Sequence, residues 1–258
     1  MGSLNPAITD WPAQRVWIIG ASTGIGAAMA LDLLARGTRV AASARNEQGL
    51  REVCAGRPNA LVVPADVTRI DTLEAAYRAI VAAWGGVDLV VFMAGNYFPA
   101  RAWELSPAKS RTQIDTNIIG VLDGLSIVLP DLIARGGGGV VIVSSVAGYR
   151  GLPNSLLYGA TKAALINLAE SLYIDLADRG VGVYLVNPGF VKTPLTADNS
   201  FEMPNLITPE EASTALLAGL ERGEFEIHFP KAFTRKLKFA RLLPYWLYFR
   251  LIKRSTGL

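Results

Sequence analysis

The chain has 258 residues, 51% hydrophobic and 18% charged, which suits one large α/β domain or two small ones and excludes disordered and collagen-like classes. Its single histidine, His228, and single cysteine, Cys54, exclude a zinc site built on several such ligands and any intrachain disulfide, so a reducing, cytoplasmic setting is expected. The net charge of +3 is split: residues 231–258 carry eight basic residues and no acidic one, leaving 17 basic against 22 acidic, a net of −5, over residues 1–230.

Met1–Gln14 has no basic region followed by an apolar one, so no signal peptide is expected. Arg15–Ile19 is an apolar run of the kind a strand buried on both faces requires. It runs into Gly20-Ala21-Ser22-Thr23-Gly24-Ile25-Gly26, after which Gly24–Arg36 reads as a helix. In such a strand–turn–helix, Gly20 permits the sharp turn, Gly24 lets the backbone approach a pyrophosphate, and Gly26 allows close packing of helix on strand. The helix N-terminus then offers free N–H groups to the phosphate, with Ser22, Thr23 and Ile25 as further candidate contacts.

The next strand, Arg39–Ser43, selects the dinucleotide. An acid at its end would bond a ribose 2′-hydroxyl; here Ala44-Arg45-Asn46 follows instead. The guanidinium of Arg45 can pair with a 2′-phosphate and Ser43 can add a hydroxyl, so NADP is expected over NAD. The plainer reading of Arg45 is a solvated surface arginine. Cys54 reads as a small apolar residue. Ala60–Val63 and Leu89–Phe92 are further strands, with a helix at Thr72–Ala83 between them. Gly136–Gly139 reads as a tight turn into a strand at Val140–Ser144. Gly182–Val186 and the late Glu226–Phe229 complete a parallel sheet covered by helices on both faces. His228 reads as a structural histidine, and Trp17 and Trp84 as packing residues.

Ser144-Ser145 closes the strand at Val140, and Tyr158-Gly159-Ala160-Thr161-Lys162 opens a long helix, Tyr158–Asp178. Tyr158 and Lys162, four apart, share a helix face. An ammonium about 4 Å from a phenol, at an effective dielectric of about 20, contributes roughly 4 kcal/mol, or roughly three pKa units. The pair is therefore a candidate general acid/base that needs no histidine.

Taken together, Gly20/Gly24/Gly26, Asp66-Val67, Asn117, Ser145, Tyr158/Lys162 and Asn187-Pro188-Gly189 with Thr193 resemble the short-chain dehydrogenase/reductase family, over roughly Arg15 to Phe229. The resemblance implies a single Rossmann-type domain, a doubly wound parallel α/β sheet, over residues 1–230, with 231–258 as a basic, aromatic extension. It implies Tyr158 as proton donor and acceptor, and Ser145 as hydrogen-bond partner of the substrate oxygen. Lys162 would hold the nicotinamide ribose, and Asn117 a relay water. It further implies Asp66 and Val67 at the adenine, Ala94 and Gly95 close to the cofactor backbone, and Pro188, Gly189, Val191 and Thr193 at the nicotinamide. Two departures stand out. Phe92-Met93 replaces the family's usual Asn-Asn before Ala94-Gly95, and Ile19 stands where threonine is common.

The expected activity is NADP(H)-dependent interconversion of a carbonyl and an alcohol on a lipophilic small molecule. The alternative is a non-catalytic NADP-binding module for regulation or assembly. Thr196–Ile207 is the expected substrate lid, with Phe201, Met203 and Leu206 as an apolar cover and Tyr97, Phe98 and Tyr149 as aromatic walls. A homodimer or homotetramer through the long helices is expected. The extension interleaves cations with Phe233, Phe239, Tyr245, Trp246, Tyr248 and Phe249. Its apolar stretch Leu242–Ile252 is too short to span a bilayer, which takes about 20 residues. Two readings of it stay open: peripheral contact with a membrane, and packing on the acidic body or a partner subunit. Nucleic-acid contact is disfavoured.

Overall fold

A computed structural model describes residues 3–197 and 203–256. Seven parallel strands form one sheet in the order β3-β2-β1-β4-β5-β6-β7. They are β1 (Arg15–Ile19), β2 (Arg39–Ser43), β3 (Ala60–Val62), β4 (Leu89–Phe92), β5 (Gly139–Val143), β6 (Gly182–Pro188) and β7 (Glu226–Phe229). The apolar runs in the sequence therefore mark strands with both faces covered, and β4, β5 and β6 are buried along their whole length.

Helices lie on both faces. On one, α3 (Ile70–Trp84), α5 (Gly120–Arg135) and α6 (Leu156–Leu176) enclose a core of Trp17, Phe92, Leu125, Leu132 and Leu165. On the other, α1 (Gly24–Ala35), α2 (Glu47–Cys54) and α7 (Pro209–Glu221) pack over Ile18, Met29, Leu33 and Leu216. Cys54 is buried there, as expected. Local chemistry sets several helix starts: the Asn46 side chain caps α2, Ser106 caps α4 (Pro107–Ile114), and Thr208 with Glu211 forms a capping box on α7. A five-residue π turn, Asp115–Ile119, joins α4 to α5. The run Pro107–Arg135 is long and apolar enough to cross a membrane, but Leu125, Val128 and Leu132 fill the sheet core instead.

The 231–258 segment forms α8 (Lys231–Arg241) and α9 (Tyr245–Thr256). Phe233 and Leu237 pack against the core, and Lys238 pairs with Glu226 of β7 at 2.6 Å. The Arg150 guanidinium donates to the carbonyls of Ala240 and Leu243 and stacks on Tyr245 and Tyr248. Tyr248, itself buried, donates to the Gly151 carbonyl at 2.7 Å.

Candidate active site

Strand order reverses between β1 and β4, and in such sheets ligands enter at the carboxyl ends of the strands beside that reversal. A cleft of about 730 Å³ lies there. The loop after β1 forms its floor. Gly20 has φ +108°, and a Cβ on it would meet the Ala94 nitrogen at 2.6 Å; a Cβ on Gly26 would lie 2.0 Å from the Gly20 carbonyl oxygen. Only glycine lets α1 start so close to the strand. Ser22, Thr23, Gly24, Ile25 and Gly26 all line the cleft, and the Thr23 side chain does not cap α1. The first-turn N–H groups of α1 thus lack intrahelical partners. This cradle, which a single methyl would fill, fits the pyrophosphate of a dinucleotide.

At one end of the cleft stand Ala44, Arg45 and Asn46 after β2, with Asp66 and Val67 after β3. Arg45 is exposed and makes no ion pair among the described residues. Ser43 departs from expectation. It is fully buried, its hydroxyl donates to the Val63 carbonyl at 2.6 Å, and it accepts the Trp17 indole N–H at 2.8 Å. Its side chain points into the sheet core, because Trp17 occupies the neighbouring strand, and so cannot serve a 2′-phosphate.

At the other end lie Ala94 and Gly95 after β4, and Pro188, Gly189, Val191 and Thr193 after β6, with Met93 and Leu195. The Thr196 hydroxyl donates to the Val191 carbonyl at 2.7 Å and accepts the Thr193 N–H at 3.1 Å, which folds this loop back over the cleft. Of the expected lid, Phe201 lies outside the described residues.

Ser145, Tyr158 and Lys162 meet in the middle. Ser145 leaves β5, and its oxygen accepts the Ala147 N–H at 3.1 Å. The Ser145 hydroxyl donates to the Pro188 carbonyl at 3.4 Å, and its proximity to Tyr158 favours the phenolate. Lys162 donates to the Val143 carbonyl at 2.9 Å and sits 5.6 Å from the centre of the Tyr158 ring. Burial pushes the Lys162 ammonium down to about 8. Burial also pushes the Tyr158 phenol up to about 12, against the lowering by the Ser145 hydroxyl. The expectation that Lys162 brings Tyr158 to neutrality is therefore not met in the protein alone. The ammonium is fastened to Val143, and desolvation disfavours charge on both groups.

Asn117 sits in the π turn, a device frequent at functional sites. Its amide accepts the Asn96 N–H at 2.8 Å and donates to the Asn96 carbonyl and to Thr161, the neighbour of Lys162. It thus joins the loop after β4 to the catalytic helix α6. Asn96 in turn donates to the Thr112 carbonyl and the Thr116 hydroxyl. Sequence reading missed Asn96, whose only signal is its place one residue after Ala94-Gly95. Phe92, in place of an asparagine, is accommodated by Gly124 of α5: a Cβ there would lie 2.4 Å from its ring.

Among the expected aromatic walls, Tyr97 stands edge-on to Tyr158, ring centres 4.9 Å apart, and donates to the Asn154 carbonyl. Neither Tyr97 nor Phe98 is among the residues lining the cleft. Tyr149 is not a wall: it is buried and donates to Glu226 at 2.5 Å. Glu226 also accepts from Asn187 and Lys238. Burial alone would raise its carboxyl, but these three donors hold it below the usual carboxylate range. His228 is buried and bonded to Thr234 at 2.6 Å, a structural role as expected.

The sheet, the glycine cradle and the serine, tyrosine and lysine define an oxidoreductase with a dinucleotide cleft. The short chain dehydrogenase family model matches residues 14–203, and the chain belongs to that family of NAD(P)-dependent enzymes. It is 41% identical to an uncharacterized oxidoreductase of Myxococcus xanthus over 231 residues, 88% of this chain and 91% of that protein. It is 33% identical to one from Staphylococcus epidermidis over 204 residues, 79% of this chain and 89% of that protein. Among solved structures it resembles a short-chain dehydrogenase from Streptomyces avermitilis, with TM-score 0.79, 24% identity and coverage of 95% and 98% of the two chains. It also resembles ElxO with NADP bound, with TM-score 0.74, 25% identity and coverage of 83% and 97%.

Proposed function

We propose that the protein is an NADP(H)-dependent oxidoreductase that interconverts a carbonyl and an alcohol on a lipophilic small molecule. The observation that carries this reading is the convergence of Ser145, Tyr158 and Lys162 on the cleft that holds the glycine cradle. Arg45, exposed at the far end with no acid terminating β2, supports the choice of NADP. Met93, Val191 and Leu195 near the reacting end support an apolar substrate.

Gly20 to Gly26 would hold the pyrophosphate, Arg45 the 2′-phosphate, Asp66 and Val67 the adenine, and Pro188, Gly189, Val191 and Thr193 the nicotinamide end. A nicotinamide bound there would supply the hydride that reduction of the carbonyl requires. The Ser145 hydroxyl donates a hydrogen bond to the substrate oxygen, steadying negative charge as it develops. The Tyr158 hydroxyl delivers its proton to that oxygen. With its phenol pushed up to about 12, Tyr158 is protonated at neutral pH, the state that reduction needs. Lys162 is a cation below about pH 8 and favours the phenolate left behind. Asn117, fixed to Asn96 and Thr161, would hold a water on the path that returns a proton towards Lys162.

The exposed Leu122 and Ile133 of α5 and Ile174 of α6 support assembly as a homodimer or homotetramer through these helices. The test is NADPH oxidation against a panel of lipophilic ketones. Turnover that falls by about three orders of magnitude or more in Tyr158→Phe, with NADPH affinity retained, bears the assignment out. Full activity in Tyr158→Phe removes it, and NADPH binding without any turnover leaves a binding module.

A further inference from the structure

We propose that α8 and α9 form a docking face that seats the protein on an anionic lipid surface. Phe233, Leu237 and Tyr248 fix the inner sides of these helices to the body. The outer sides are unusually apolar: Phe239, Leu242, Tyr245, Trp246 and Phe249 are 67%, 80%, 69%, 68% and 54% exposed. Single exposed apolar residues are ordinary, but five large ones between residues 239 and 249 form the kind of patch that marks an interaction surface.

The charges around this patch choose the partner. Lys231 and Lys238 pair with Glu224 and Glu226. Arg235, Lys236, Arg241, Arg250, Lys253 and Arg254 make no ion pair among the described residues, and residues 231–258 contain no acid to neutralise them. The same face of a second copy would set six unpaired cations against six, so face-to-face self-association is opposed by repulsion. A lipid interface offers what the face lacks, an apolar layer beneath a layer of negative headgroups. Tyrosine and tryptophan suit the boundary between the two. The body, net −5 over residues 1–230, is repelled by the same headgroups, so the protein would sit with α8 and α9 down.

The face is also tied to the catalytic cleft. Arg150 and Gly151, which anchor α8 and α9, lie in the connection from Ser145 to Tyr158. A second cavity of about 280 Å³ lies between Phe249 and Ile252 of α9 and Leu152, Pro153 and Asn154. Asn154 accepts from Tyr97, which rests on Tyr158. A lipid-borne molecule leaving the surface would meet this cavity, which is linked to the catalytic tyrosine through Asn154 and Tyr97.

The test is co-sedimentation of the full chain with phosphatidylcholine vesicles and with equal mixtures of phosphatidylcholine and phosphatidylglycerol, at low and high salt. Binding to the mixed vesicles at low salt is expected, weaker by about tenfold or more without phosphatidylglycerol or at high salt. Two variants separate the contributions: R235E/K236E/R250E/K253E, and F239S/L242S/W246S. Each should lose about tenfold or more in vesicle binding while keeping its thermal unfolding and NADPH affinity. Recovery of the full chain in the supernatant with mixed vesicles overturns the proposal. So does binding by both variants equal to that of the parent chain, or a change of oligomeric state in the apolar variant, which would make the face a protein contact. Because NADPH affinity is read separately, a failed docking test leaves the catalytic assignment untouched.

Discussion

Replacing Ser43 by alanine separates a cofactor ligand from a piece of the core. In the structure its hydroxyl accepts the Trp17 indole N–H and donates to the Val63 carbonyl, and both Ser43 and Trp17 are fully buried. Alanine removes both bonds and leaves a buried indole donor with no acceptor. An unsatisfied buried donor costs about 1–3 kcal/mol, and the lost second bond adds about 1 kcal/mol. A total of about 3 kcal/mol lowers the melting temperature of a domain of this size by about 6–12 °C. Thermal unfolding of the protein alone should show that drop, while NADPH affinity, read by fluorescence titration, stays within about twofold. An unchanged melting temperature together with an approximately tenfold loss of NADPH affinity, and no loss for NADH, would refute the reasoning, because it would place the hydroxyl on the 2′-phosphate.

Arg45→Ala should do the reverse. Loss of exposed, charge-assisted bonds weakens NADPH by about tenfold, leaves NADH nearly unchanged and leaves melting unchanged; equal losses on both nucleotides would deny the 2′-phosphate role. Gly26→Ala places a Cβ 2.0 Å from the Gly20 oxygen. It should cost about 3 kcal/mol or more and weaken both nucleotides together, which paired melting and binding curves would show. His228 is held down to about 4, by burial first and then by the charges of Lys231 and Lys238. Unfolded histidine takes up a proton near 6.5 whereas the folded one stays neutral to about 4, so the unfolded state gains protons first and stability falls as pH drops through that window. Allowing for solvent screening, the loss is about 1–2 kcal/mol. Urea denaturation at the two ends of the window should show it in the parent chain and not in His228→Asn.

The sheet was legible because buried parallel strands must be apolar throughout. The bounds of β1, β2 and β4 coincide with their apolar runs. β6 extends through Asn187 and Pro188, which carry no apolar signal, because its end is held by β7 and by the Asn187–Glu226 bond. The cleft was legible where function needs a residue type at a fixed spacing: the glycines, Ser145, Tyr158 and Lys162. It was illegible where a side chain's direction depends on register. Which face Ser43 takes follows from Trp17 pairing opposite Ala41 on the neighbouring strand, and nothing local to residue 43 states this. Tyr149 meets Glu226 from 77 residues away, and Gly124 admits Phe92 from another element. The surroundings of the Tyr158 phenol are illegible for the same reason. Spacing put Lys162 on its helix face but could not reveal that Val143 holds the ammonium.

The bonds from Arg150 to the end of α8, and from Tyr248 to Gly151, also bear on how the protein is made. Lys162 leaves the ribosome 86 residues before Tyr248, an interval of roughly 4–17 s at about 5–20 residues per second. Throughout it, the connection between Ser145 and Tyr158 has its contacts with Tyr97 and Ala100 but not those with α8 and α9. Completion of α9 supplies the last of the anchors that hold this connection.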